Sequence, residues 1–215
     1  MSTFQYTVSD VMTHTAVAVG RRASYKEIVE VLHQWKVSAV PVLEGEGRVV
    51  GVVSEADLLV KEQFRHAEPA PAERRDEAAK AGAVLAEDLM SSPAVTVHPA
   101  ATVSEAARIM ARKGVKRLPV VNDIGMLEGV VSRGDLLKVF LRPDEEIRSE
   151  IHDSVLGEPR PPAPVECSVE EGVVTLRFGR RGGGAFVPLL ARAVLAVEGV
   201  VDVRMQREGT EVTTS

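Results

Sequence analysis

Two pairs of side chains stand out for the chemistry they could do: Ser54 with Asp57, and Ser132 with Asp135. Each closes the same phrase, Gly-Val-Val-Ser-x-x-Asp-Leu-Leu, written once from Gly51 and again from Gly129. The Val-Val pair reads as the buried end of a strand, and the serine as the junction to a helix. Such a junction presents backbone N–H groups and the positive end of a helix dipole, which suits a phosphate. The serine hydroxyl would add a hydrogen bond, and a carboxylate one turn later would accept both hydroxyls of a ribose. The same spacing also makes a helix cap, with the serine accepting N–H bonds and the acid interacting with the dipole. For the phrase alone, capping and nucleotide binding both stay open.

The other reactive side chains point less clearly to a site. The histidines His14, His33, His66, His98 and His152 show no paired metal-ligand spacing, and His14 and His98 suit solvated or capping positions near strand ends. Cys167, the single cysteine, falls on a candidate strand with no base beside it and reads as a packed thiol. Gly182–Gly184 lacks the Lys-Ser/Thr pair and the spacing of a P-loop. Trp35 reads as a core or dimer contact. Lys116 and Arg117 are adjacent cations that either bind an anion or solvate a strand edge.

These residues sit in a duplicated framework. Asp10–Leu59 aligns with Asp88–Leu137 at a constant offset of 78, without a gap, and 18 of the 50 aligned positions are identical. A repeat of this length is one structural unit written twice. In each copy a short alternating strand (AVAV at 16–19, AVTV at 94–97) leads to a helix start at Ser24 or Thr102. Glu27 and Glu105 follow three residues later, the spacing of a capping box. The helices YKEIVEVLHQW and VSEAARIMARKG carry apolar residues at helical spacing. Two strands follow, VSAVPVL and RVVGVVS or VKRLPVV and MLEGVVS, and a second helix begins after Ser54 or Ser132. The order is β-α-β-β-α, twice.

Between the copies, AEPAPAERRDEAAKAG is rich in Ala, Pro and charge and reads as a mobile linker ending in a helix. The remaining chain predicts an α-β-β-α-β unit: EEIRSEIHDSVL, the loop GEPRPPAP, a hairpin over VECSVEEGVVTLRFG, a Gly-rich turn, VPLLARAVLAV and GVVDVRMQ. The expected boundaries are 8–62 and 88–142 for the repeats, 63–87 for the linker, 144–208 for the last unit and 209–215 for a tail. The fold class expected is α/β (α+β).

The 215 residues are 45% hydrophobic and 27% charged, the balance of a water-soluble globular protein. Aromatics make up only 4%, so the cores must be built from Val, Ala, Leu and Ile. One cysteine permits no intrachain disulfide. The start of the chain has no basic segment leading into an apolar run, and no stretch reaches the roughly 18 apolar residues of a membrane span. A cytoplasmic location is expected. The net charge of -5 is carried by the residues from Asp144 onward, which hold 13 acids and 8 arginines against 18 of each sign before them. Neither part has the basic excess of a general nucleic-acid binder, so no nucleic-acid partner is expected.

The two in-register copies, each with Met-x-x-x-x-V-x-V (VAV or VTV at 17–19 and 95–97), a helix, an h-Pro-Val strand (VPV at 40–42, LPV at 118–120) and G-V-V-S-x-x-D, resemble a tandem CBS pair, or Bateman module. The resemblance covers about Val8 to Arg142. It implies two β-α-β-β-α repeats packed about a pseudo-twofold axis, with clefts between them for adenine nucleotides or related adenosyl ligands. It implies that one cleft uses Ser132 and Asp135 with Thr13, Ala16, Ser38 and Ala39 on its adenine side. The other would use Ser54 and Asp57 with Ser91, Ala94, Lys116 and Arg117. Because Lys116-Arg117 is cationic where Ser38-Ala39 is neutral, the Ser54 cleft is the one favoured for AMP, ADP or ATP.

The last unit resembles a BON domain, through Val165–Leu176 and Gly199–Val203. That family has a glycine close after the Thr-Leu, whereas Arg177 and Phe178 here precede Gly179. The resemblance implies contact with a partner protein or phospholipid. The net negative charge of this segment argues against attraction to an anionic bilayer by bulk charge. A local cluster (Arg177, Phe178, Arg180, Arg181, Phe186) either touches head groups or an acidic partner, or is a solvated turn. With both resemblances subtracted no catalytic domain is left, so the expected protein is not an enzyme. It would be a regulatory sensor without an obligatory cofactor or metal, homodimeric through its CBS pair. The alternative is a ligand-free dimeric scaffold whose BON unit recruits protein or phospholipid.

Overall fold

A computed structural model describes residues 6–64, 83–157, 164–179 and 186–207. The chain divides into two compact units, Thr7–Asp135 and a second made of Leu136 onward together with the residues up to Tyr6. The linker between the copies, the GEPRPPAP loop and the Gly-rich turn lie wholly or largely outside the described residues.

In the first unit the order is α1 (Val8–Val11), β1 (Val19–Gly20), α2 (Tyr25–Trp35), β2 (Ala39–Glu44), β3 (Arg48–Ser54) and α3 (Glu55–Phe64). The second copy follows with α4 (Ala86–Leu89), α5 (Val103–Lys113), β4 (Arg117–Val121), β5 (Leu127–Ser132) and α6 (Arg133–Leu136). β1, β2 and β3 form one sheet, with β1 parallel to β2, while β4 and β5 pair as an antiparallel hairpin. The alternating runs at 16–19 and 94–97 yield less strand than expected. The first contributes only Val19 to β1, and the second only a single bridge from Val97 to Val120.

The helices form where the periodicity places them. Ile28 and Leu32 of α2, and Val103, Ala106 and Met110 of α5, turn one stripe inward. Both begin at the capping residues: the Glu27 N–H donates to Ser24 Oγ at 3.2 Å, and the Glu105 N–H to Thr102 Oγ1 at 3.2 Å. Trp35, at the end of α2, is 53% exposed, so the core reading of this residue is overturned; its indole lies on the surface.

The two copies are interlocked by bonds that come in symmetric pairs. Thr13 exchanges backbone bonds with Val130, and Ser91, its equivalent 78 residues on, exchanges them with Val52. The Val8 N–H donates to the Ala101 carbonyl and the Ala86 N–H to the Ala23 carbonyl, again one pair at the same offset. Val49 with Gly125 and Leu127 with Gly47 complete the pattern. Each copy therefore finishes the other's core: Ala86 and Leu89 of the second pack with Ile28, Leu32 and Val53 of the first. This is the pseudo-twofold pair of β-α-β-β-α repeats.

In the second unit the order is a 3-10 turn at Leu137–Leu141, α7 (Asp144–Ser154), β6 (Val165–Glu170), β7 (Val173–Phe178), α8 (Phe186–Leu195) and β8 (Asp202–Arg207). The sheet order is β6-β7-β8, antiparallel then parallel. Ile147, Ile151, Val174, Leu176, Phe178, Leu190 and Val194 form its core, with Cys167 packed against them. Burial pushes the Cys167 thiol up from its ordinary range, so it is less readily ionised. The Glu171 and Gly172 N–H groups of the hairpin turn donate to the Asp144 carboxylate at 2.7 and 2.8 Å, which ties the start of α7 to the turn. Phe178 is a core residue and Phe186 packs beside it, so the expected surface cluster loses its aromatic members. Arg177 stays exposed and donates to Gln206 at 3.0 Å. Arg180 and Arg181 lie outside the described residues.

Candidate binding cleft

The repeated phrase ends each hairpin's second strand at the junction to a helix. Its glycine is explained by close packing across the pair. A Cβ at Gly51 would overlap the side chain of Met90, and one at Gly129 would lie 2.7 Å from the Thr13 carbonyl and 2.9 Å from Met12 Sδ. Its serine and aspartate bond to each other. Ser54 Oγ donates to Asp57 Oδ2 at 2.6 Å, the Ser54 N–H donates to the same oxygen at 3.0 Å, and the Asp57 N–H donates back to Ser54 Oγ at 3.4 Å. Ser132 and Asp135 repeat this at 2.6, 2.9 and 3.3 Å.

Three of the N–H groups expected to be free at the first junction are bonded in this geometry. The Ser54 and Asp57 N–H groups are used within the cap, and the Glu55 N–H donates to the Ser38 carbonyl at 3.0 Å. The equivalent Arg133 N–H donates to the Lys116 carbonyl. Beside these bonds the Ser54 and Lys116 side chains border the same cleft. The carboxylate keeps its capacity for further donors, because an ionised Asp has about four lone-pair sites.

A cleft of about 480 Å³ opens beside Ser54 and Asp57. Such a volume is within the range of small-molecule sites, about 300–1,000 Å³. Ser91, Ala94, Lys116 and Arg117 of the second copy line it, so all six residues expected to share a cleft border this one. Ser38 and Ala39, expected on the adenine side of the other cleft, border it as well, together with Val52, Leu59 and Pro93. Thr13 is bonded to Val130, and Ala16 is partly buried on the stretch before β1. Neither lines the Ser54 cleft.

Sequence reasoning missed what Arg117 does. Its Nη1 donates to the Ala39 carbonyl at 3.0 Å and its Nη2 to Ser38 Oγ at 2.8 Å, so the side chain bridges the copies. Burial pushes the Arg117 guanidinium below the usual arginine range, while the charges of Glu55 and Asp135 pull it back up. Position 117 is the 78-residue equivalent of position 39, so a residue that touches its own equivalent lies at the pseudo-twofold axis. That signal was present in the offset. Lys116, by contrast, is exposed.

Among the described residues, no three His, Cys, Asp or Glu side chains come together to hold a metal ion. His98 is engaged locally, accepting from the Ala100 N–H at 3.3 Å and lying 3.1 Å from Asp123. No described helix is long and apolar enough to cross a membrane.

Comparison with known proteins places this geometry. The family model described as CBS domain matches residues 8–62 and 86–142, together more than half of the chain. The chain is 30% identical to the uncharacterized protein MJ1426 of Methanocaldococcus jannaschii, over 54% of this chain and 80% of that one. Among curated relatives the chain spans between 25% and 81% of their length. The crystal structure of CBSX2, a chloroplastic CBS-domain protein of Arabidopsis thaliana, in complex with AMP superposes with a TM-score of 0.57 at 30% identity, covering 63% of this chain and 97% of that one. The CBS pair of MJ0100, solved with 5'-methylthioadenosine and S-adenosyl-L-methionine, shares the fold at a TM-score of 0.51 and 20% identity, with coverages of 63% and 96%.

Proposed function

The chain belongs to the CBS-domain family, and from that premise we propose that it is a non-catalytic regulatory protein that binds an adenine nucleotide in the Ser54 cleft. The observation that carries this reading is the convergence of Ser54 and Asp57 from one copy with the cationic Lys116 from the other on a single cleft. Asp57 would accept from the ribose hydroxyls, Ser54 and Lys116 would meet phosphate, and the small Ala94 would leave room for the base. The AMP complex of the 30% identical CBSX2 supports an adenine ligand. The CBS pair is also the expected seat of a homodimer.

Thermal unfolding with AMP, ADP, ATP and S-adenosylmethionine tests the proposal. A ligand at 100 times its dissociation constant stabilises by about 2.7 kcal/mol. At about 2–4 °C per kcal/mol for a chain of this size, the midpoint should rise by roughly 5–10 °C. Asp57→Ala should abolish this rise while costing the free protein about 1 kcal/mol for the lost cap. A midpoint indifferent to every ligand would reject the sensor.

One observation favours a second reading, the ligand-free scaffold: Ser54 and Asp57 already satisfy each other as a cap. The scaffold is the reading that survives if no ligand shifts the midpoint.

For the C-terminal unit we propose a BON-like contact with a protein partner or an envelope phospholipid. Its α-β-β-α-β order supports this. Co-sedimentation of the full chain with anionic phospholipid vesicles separates the two. Binding that salt weakens would favour the envelope; a chain that stays in the supernatant would remove the lipid arm.

A further inference from the structure

We infer that Ser38 is a specificity-determining residue of the Ser54 cleft: by tethering Arg117 it keeps a positive charge poised there and makes the cleft choose phosphorylated adenosines over adenosine itself. The inference rests on the adenine-binding reading above and adds to it a positioning residue from the first copy. Ser38, Ala39 and Arg117 all line the cleft beside Ser54 and Asp57. Arg117 Nη2 donates to Ser38 Oγ at 2.8 Å and Nη1 to the Ala39 carbonyl at 3.0 Å, whereas Nε is buried without a hydrogen-bond partner. The guanidinium is therefore located by its two terminal nitrogens. Ser38 can hold it because Ser38 is itself fixed: its carbonyl accepts from the Glu55 N–H at 3.0 Å, and the next residue, Ala39, pairs with Ser54 in the β2–β3 ladder.

What the tether prevents is neutralisation. The charged residues lining the cleft are Glu55, Asp57, Lys116 and Arg117, two of each sign, so their sum gives no preference for an anion. The preference depends on where the charges stand. Lys116 is exposed, and Arg117 is the cation held partly out of water. Glu55 and Asp135 both attract the guanidinium, and a direct ion pair with either would commit its donors to a carboxylate. Bonded to a hydroxyl and a carbonyl instead, it keeps its charge, and each terminal nitrogen has a second N–H to offer a phosphate oxygen.

Equilibrium dialysis of the full chain against radiolabelled AMP and radiolabelled adenosine tests this, read as the ratio of the two affinities. The wild type should favour AMP. Ser38→Ala should lower the ratio by about tenfold, the effect of one hydrogen bond to a charged group. Ser38→Thr, which keeps the hydroxyl, should hold it near the wild-type value. Arg117→Gln should lower the ratio at least as far, and adding Ser38→Ala to it should lower the ratio no further, because the serine acts through the arginine. Each variant is first checked for an intact unfolding transition. A wild type that binds adenosine as tightly as AMP, a ratio unmoved by Ser38→Ala, or a Ser38→Ala loss that simply adds to that of Arg117→Gln would overturn the inference and leave the adenine reading standing. No binding of either compound to the wild type would overturn both.

Discussion

Across the 78-residue offset the first repeat carries Ser38 and Ala39 where the second carries Lys116 and Arg117, within two copies whose hairpins and cross-bonds match closely. Even the irregularities are copied: the ladder shifts register between Val42 and Leu43, and again between Val120 and Val121. What the copies keep in common is the machinery of mutual packing, which must be symmetric because each supplies what the other lacks. What they vary is the chemistry at the axis, where Arg117 reaches across to Ser38 and Ala39 while Ala39 itself carries only a methyl group.

The shared packing can be broken unevenly. Gly129→Ala would drive a methyl group to 2.7 Å from the Thr13 carbonyl, a backbone atom locked by its bond from the Val130 N–H. The three atoms nearest a methyl group at Gly51 all belong to the side chain of Met90, which can turn aside. Overpacking costs about 1–3 kcal/mol. Gly129→Ala should fall at the upper end of that range and Gly51→Ala at the lower. Urea unfolding followed through Trp35, the only tryptophan and an exposed one in the first repeat, would give both values. Equal losses would show that the two interlocks are mechanically the same.

Much of this was legible in the sequence because it depends on local rules repeated twice. The caps at Ser24 and Thr102, the helical stripes and the strands ending at Ser54 and Ser132 follow from spacing alone. The six residues around the Ser54 cleft came together because the offset and the family resemblance specify which copy faces which. The short strands failed for a physical reason. Val17 and Val95 alternate as a strand should, but only Val19 finds a ladder partner in the first copy and only a single bridge forms at Val97 in the second. Pattern reports burial, and it does not report whether a neighbouring edge is available. The core half of the Trp35 reading failed for a related reason: a large aromatic at a helix end is equally consistent with a core and with a surface. The path of Arg117 depends on a rotamer crossing the axis, which composition cannot reveal.

The gentlest test of the comparison lies at the ends of α2 and α5, which finish in the same geometry with different residues. The Val37 N–H reaches back to the Leu32 carbonyl and the Val115 N–H to the Met110 carbonyl, both at 3.1 Å, and the residue before each turns left-handed. That residue is Lys36 at φ 52° in the first repeat and Gly114 at φ 67° in the second. Glycine adopts this conformation without a Cβ clash, whereas other side chains pay roughly 1 kcal/mol. A Cβ at Gly114 would meet nothing within 4 Å, so only the backbone term changes there, and Lys36 is exposed. Gly114→Ala should therefore destabilise the ligand-free protein by about 1 kcal/mol, and Lys36→Gly should stabilise it by somewhat less, because a glycine also loosens the unfolded chain. Opposite signs in the same denaturation assay would show that the second repeat carries the relaxed version of a shared cap. A destabilised Lys36→Gly would show instead that the lysine side chain contributes more at the end of α2 than its backbone conformation costs.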